Sequence, residues 1–220
     1  MHKNIIIFFL SLSCHYCFGQ NIPYDSLVHE LSVILEDDQR YRAQLPAIYA
    51  TKGYDSTRLA ALSKLINEND SLNLIKVRMI IDKYGWLGPD KIGTDGNQAL
   101  FLVIQHADID TQKKYLEVLR NAVKIGNAKA TTLALLEDRI CVAEGKLQIY
   151  GTQTGIILDT KESFIFPLQD PDGIEARRSQ VGLEAFPVYL RRHKIEWDLE
   201  KYKADLPRIQ AFLHGKYTNF

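Results

Sequence analysis

Cysteine is scarce: the 220 residues hold three, and two of them, Cys14 and Cys17, lie near the amino end. Without those two, Cys141 stands alone, so no intramolecular disulfide can form and the fold must rest on its core. Cys141 sits in an apolar run and reads as a buried inert thiol rather than a nucleophile. Long hydrophobic runs are also missing. The longest, residues 5–12 (IIIFFLSL), falls short of the roughly 20 residues a bilayer requires, so no membrane span is expected. Charge of one sign is missing as well. With 27 basic and 27 acidic residues the surface offers no electrostatic case for nucleic acid or an acidic membrane. No phosphate-binding loop, dinucleotide glycine pattern, nucleophile elbow or HExxH word is present. The segment DKIGTDGN (residues 90–97) has acids and glycines, but its spacing fails the calcium-loop pattern. Clustered His or Cys spacing is absent too, so neither a metal nor a cofactor is expected.

The amino end has the three parts of an export signal. Lys3 supplies a positive charge, residues 5–12 an apolar stretch, and Cys17-Phe18-Gly19 a small-residue cleavage site before Gln20. This predicts a signal peptide over residues 1–19 and an exported protein, periplasmic or secreted. Lipidation at Cys14 is the competing reading, although Ser11 stands where a lipobox places an aliphatic residue. The CxxC word formed by Cys14 and Cys17 falls in the removed segment and carries no redox or haem implication.

About 200 mature residues suffice for one sizeable core. Residues 25–45 have Leu27, Leu31, Ile34 and Leu35 at helical spacing, with Asp38 and Arg42 four apart and able to pair. Pro46 should end or kink this helix. Residues 56–84 form a second helical stretch, with a break expected near Asn69-Asp70-Ser71 and a cap at Asp70 or Ser71. Residues 95–107 are apolar nearly all round and therefore central. Helices over 110–126 and 129–143 follow, joined by short connections that imply antiparallel neighbours. Residues 147–166 read as a hairpin. Asp170-Pro171 looks like a capped helix start, with that helix running to about Val181 and another over 183–192. A helical tail over 193–220 is expected to be interrupted at Pro207. The fold class is therefore mainly α: a single antiparallel helical domain over 20–192 with a small β-hairpin in its C-terminal half, then the tail.

Polar words punctuate these apolar stretches. They are Asp38-Gln39 with Arg42, Asp70 with Asn73, Tyr84-Gly85-Trp86, and Gln105-His106-Ala107-Asp108 with Asp110 and Gln112. Asp138-Arg139, Tyr150-Gly151-Thr152-Gln153, Asp170-Pro171, and Arg177-Arg178 with Val181-Gly182-Leu183 complete the series. In this order and spacing the chain resembles a family of bacterial proteins classed as domain-of-unknown-function family 6624, from about Leu31 to Tyr189. The family has no assigned activity to transfer, so the resemblance sharpens the residue list and leaves the function open.

A polar group in an apolar stretch must be paired or it costs several kcal/mol. The words therefore build either a buried network or a cleft. His106 with Asp108 and Asp110 suits a base oriented by an acid, or simply a helix end followed by a cap. Asp138 and Arg139 point about 100° apart on one helix, and a buried Asp138 calls for a cation such as Arg177, Arg178 or Arg42. Tyr150 and Gln153 offer neutral hydrogen bonds of the kind used for sugars, peptides or amides, or serve a turn. Asp38, Gln39, Arg42, Asn73, Asp108, Asp110 and Arg139 read as a structural polar network; Tyr150, Gln153, Arg177, Arg178 and Gln105 read as ligand contacts.

Three functions fit these words. One is a noncatalytic binding or interaction protein for an unknown small molecule or envelope component, with a polar cleft lined by His106, Gln153 and Arg178. Another is an envelope-acting hydrolase with His106 or Asp138 as general base and Arg178 as anion stabiliser. In the third, every polar word is scaffold.

Overall fold

A computed structural model describes residues 24–50, 55–157 and 160–217. The segment read as an export signal, with Cys14 and Cys17, lies outside the described residues. The protein is mainly helical, with one two-stranded antiparallel hairpin in its C-terminal half.

Helix α1 (Tyr24–Arg42) buries Leu27, Leu31 and Ile34 on one stripe, and Asp38 continues that stripe one turn further. The helix ends before Pro46, which instead sits in the first turn of a short helix α2 (Leu45–Ala50), where its missing N–H costs nothing. Helix α3 (Ser56–Tyr84) starts at an Asp55 cap, whose carboxylate accepts from the Arg58 amide at 2.9 Å. It runs unbroken through Asn69-Asp70-Ser71, against expectation. Asn69 donates to the Asp37 carbonyl, Asp70 binds Arg42, and Ser71 bonds back to the Asn67 carbonyl. Their polarity is thus satisfied without capping, and the helix has no reason to stop there.

Helix α4 (Pro89–His106) opens with one turn and resets at Gly93, whose φ of 70° and ψ of 170° are non-helical. Beyond it, Ala99, Leu100, Phe101, Val103 and Ile104 are buried, and α4 contacts α1 and α3 as well as the two helices that follow it. Gly96 lets α1 come close, since a Cβ there would stand 3.3 Å from Leu31 Cδ1. Helix α5 (Ile109–Lys124) is capped by Asp108, which accepts from the Thr111 amide at 2.8 Å. Helix α6 (Ala130–Ala143) packs against α5.

Strands β1 (Thr154–Ile157) and β2 (Glu162–Ile165) pair with Thr154 opposite Ile165. They fill only the later half of the expected hairpin, because residues 149–153 form a loop. Helix α7 (Ile174–Gln180) starts after Gly173, not at Asp170. Asp170 does not cap it; its carboxylate and its carbonyl both receive Arg177. Helix α8 (Phe186–Arg192) precedes α9 (Leu199–Tyr217), which continues through Pro207. Here docking on either side overrides the lost backbone bond. Tyr202 is buried with its hydroxyl accepting from the Leu168 amide at 2.7 Å, and Arg208 pairs with Glu162.

The buried apolar residues form two clusters. One gathers side chains from α1 and α3 to α6 with Trp86; the other gathers Ile165, Leu168, Ile174, Phe186, Leu190 and Tyr202. Among the described residues no helix is long and apolar enough to cross a membrane.

Candidate functional site: a polar seam

The polar words gather into two centres. At the first, Asp38 is 1% exposed and accepts at 3.0 Å from His106 Nδ1, drawn here as the protonated nitrogen. Gln39 Nε2 donates to the other carboxylate oxygen at 2.7 Å. Arg42 spans Asp38 and Asp70: Nη1 donates to the Asp38 carbonyl at 3.0 Å, and its fork meets Asp70 Oδ1 and Oδ2 at 2.8 and 2.6 Å. Burial pushes the Asp38 carboxyl up. The hydrogen bond and charge of His106, the charge of Arg42 and the Gln39 bond outweigh it and hold the group below the ordinary carboxylate value. The α1 pairing of Asp38 with Arg42 is as expected, at 3.4 Å. The role of Asp38 as the acid of His106 was not read from the sequence, because 68 residues separate them.

Asp38, Asp70 and His106 present ligand atoms within 4.8 Å of one another. A divalent ion fits poorly there. The Arg42 fork already occupies both Asp70 oxygens, and a metal would have to displace it.

Asp138, wholly buried, anchors the second centre. Its oxygens accept from the amides of Ile149 (2.6 Å), Tyr150 (3.0 Å) and Thr152 (2.9 Å), and from the Thr152 hydroxyl (3.0 Å). The expected cation is therefore replaced by backbone donors: a loop folded over the carboxylate does the work of an arginine. Burial still pushes this carboxyl up, against the opposing bonds from Thr152, Tyr150 and Ile149. Arg178, 1% exposed, pairs with neither Asp138 nor Asp38. Its Nη1 donates to the Tyr150 carbonyl at 2.7 Å, its Nε donates to the Glu184 carbonyl at 2.9 Å, and its guanidinium stacks on Tyr189 at 4.9 Å. Arg177 faces outward to Asp170 and also holds the Ile149 carbonyl at 2.8 Å. Thus one arginine of the pair points in and one out.

Gln153 belongs to this loop and not to the strands, with its side chain on the Thr152 hydroxyl at 3.1 Å. Two contributors were missed in the sequence. Gln148, fully buried, binds both Gln153 backbone groups and donates to the Phe166 carbonyl at 2.7 Å, stapling the hairpin shut. Tyr189 donates its hydroxyl to the Thr152 carbonyl at 2.6 Å. A glutamine beside a leucine in a strand-like run carries no sequence signal of this kind.

Arg139 follows Asp138 on α6 and is half-buried. Burial lowers the affinity of its guanidinium for the proton, the charge of Arg42 lowers it further, and Tyr189 opposes both. No hydrogen-bond acceptor meets its buried Nε. Among the described residues six buried side-chain atoms lack a partner: Asn73 Nδ2, Trp86 Nε1, Gln105 Oε1, Gln112 Oε1, Arg139 Nε and Arg178 Nη2. Every one belongs to a polar word singled out in the sequence. The rest of the series has structural employment. Asp108 is a cap, Gln112 Nε2 closes the end of α4 on the Gln105 and Ala107 carbonyls, and Asp110 is exposed in the first turn of α5.

A cavity of about 340 Å³ opens between β2 and α9, lined by Trp197, Tyr202 and Phe164 among others, and includes none of the predicted site residues.

Fold and seam together define a mainly helical protein in which, among the described residues, the unpartnered buried side-chain atoms are confined to a few words of the sequence. A family described as being of unknown function, DUF6624, matches residues 25–201, and the chain belongs to it. The match extends past Tyr189 to the first residues of α9. No curated protein and no solved structure matches the chain.

Proposed function

We propose that the chain is an exported binding protein whose ligand site is this seam. The observation that carries the reading is the identity of the six unpartnered atoms. A purely structural network closes on itself, since each buried donor or acceptor left open costs about 1–3 kcal/mol. Among the described residues the open positions all fall on the polar words, while Asp38, Asp138 and Gln148 are saturated. The leader read from Lys3 and residues 5–12 supports export and puts envelope components among the ligands. A thermal-shift screen of cell-wall fragments, sugars and small carboxylates tests it. A ligand should raise the melting temperature of wild type and leave an Arg178→Ala variant unmoved; a panel that never separates the two proteins argues against a site.

A second reading, hydrolysis of an envelope component, is favoured by the His106–Asp38 bond. A carboxylate on Nδ1 orients the ring and leaves Nε2 as the basic nitrogen. In this reading Asp38, and not Asp138, is the acid of the pair, because the oxygens of Asp138 are taken by the loop. Release of fragments from peptidoglycan by wild type, lost in both His106→Gln and Asp38→Asn, would favour it over simple binding.

A further inference from the structure

The carboxylates around the seam are all committed. Asp38 serves His106, Gln39 and Arg42; Asp70 holds the Arg42 fork; Asp138 holds the loop amides. Two of the guanidinium groups are not. Arg178 is bound only by carbonyls, and its buried Nη2 has no acceptor. Arg139 has less: its buried Nε is unpartnered, and among the described residues no carboxylate forms an ion pair with it. Arg178 stacks on the Tyr189 ring at 4.9 Å. A half-buried guanidinium with no anion to neutralise it is costly unless something negative joins it.

We infer that the seam takes an oxyanion, the carboxylate or phosphate group of a ligand, on the guanidinium of Arg139. The inference rests on the binding reading above and narrows it. A planar fork presents two parallel N–H groups to two oxygens of such a group, which a lysine ammonium cannot do. A neutral sugar or amide would fill hydrogen bonds and leave the charge uncompensated. A metal ion would add to it.

The test uses the full chain with inorganic phosphate and with acetate as separate probes, each against sodium chloride at matched ionic strength. Binding is read by calorimetry and by thermal shift in wild type, Arg139→Met and Arg139→Lys, with circular dichroism confirming that the variants fold. One or both probes should bind wild type, weaken about tenfold or more in Arg139→Met, and weaken in Arg139→Lys as well, since charge without the fork is insufficient. Whichever probe binds identifies the group. Equal binding by wild type and Arg139→Met places the anion elsewhere and overturns the inference. So does wild type indifferent to both probes. In that case N-acetylglucosamine or alaninamide shifting wild type would leave the binding reading standing, whereas no response to any compound would remove both.

Discussion

Asp38 and His106 lie 68 residues apart in the chain and meet at 3.0 Å across the α1–α4 interface. The helix that carries Asp38 spends three turns placing Leu27, Leu31 and Ile34 against α4, and the carboxylate arrives at the next position of the same stripe. Core packing thus aims an acid at a histidine. The arrangement has a pH signature.

Asp38 is held below the ordinary carboxylate value of 3.8 in the folded protein. A depressed carboxyl adds stability that is fully present above its unfolded value and is lost as the pH falls through the folded one. Urea midpoints for wild type and Asp38→Asn should therefore differ by a steady amount from pH 6 down to about pH 4 and converge only as the pH falls further, through the folded value. A gap that never narrows in acid would mean that the ionised carboxylate contributes nothing.

Asp138→Ala removes the acceptor of three amides and one hydroxyl at once. We expect a loss of about 2–4 kcal/mol, with Asp138→Asn milder because its carbonyl still accepts. Hydrogen exchange locates the damage: the amides of Ile149, Tyr150 and Thr152 should lose protection before those of α4. Uniform loss across the molecule would contradict a local anchor.

Gln148→Leu keeps the volume close and deletes the staple between residues 148, 153 and 166. The expected cost is about 1–3 kcal/mol in chemical denaturation, from carbonyl and amide groups left bare. A variant as stable as wild type would show that the hairpin closes without it.

Gly151 has a φ of +67°, and a Cβ there would stand 2.6 Å from Phe186 Cε2. Gly151→Ala meets both the left-handed backbone and the wholly buried ring, so a loss of about 2–3 kcal/mol is expected. Gly145→Ala has a φ of +69° but nothing within 4 Å, and should cost only about 1 kcal/mol. Melting temperatures of the two variants separate crowding from backbone strain.

Much of the fold could be read in advance because α1, α5 and α6 advertise their buried faces by period. The errors share one cause. Asn69-Asp70-Ser71 and Pro207 are local stop signals, and each was overruled by partners that lie far along the chain: α1 in one case, β2 and Leu168 in the other. Asp170 failed as a cap for the same reason, since Arg177 holds it. At the seam, Asp38 with Arg42 was legible because four residues make one helical turn. Asp138 was misjudged because its counterpart is main chain, which has no letter of its own. His106 could not be matched to Asp38 at all, since no periodicity links positions on separate helices.

Asp138 and Arg139 are successive residues of α6, the first holding the 149–152 loop and the second carrying an unpartnered Nε. A helix is stiff over so short a span, so their two Cα positions are set together. The way the loop seats on the carboxylate therefore also fixes the point from which the arginine leaves the helix.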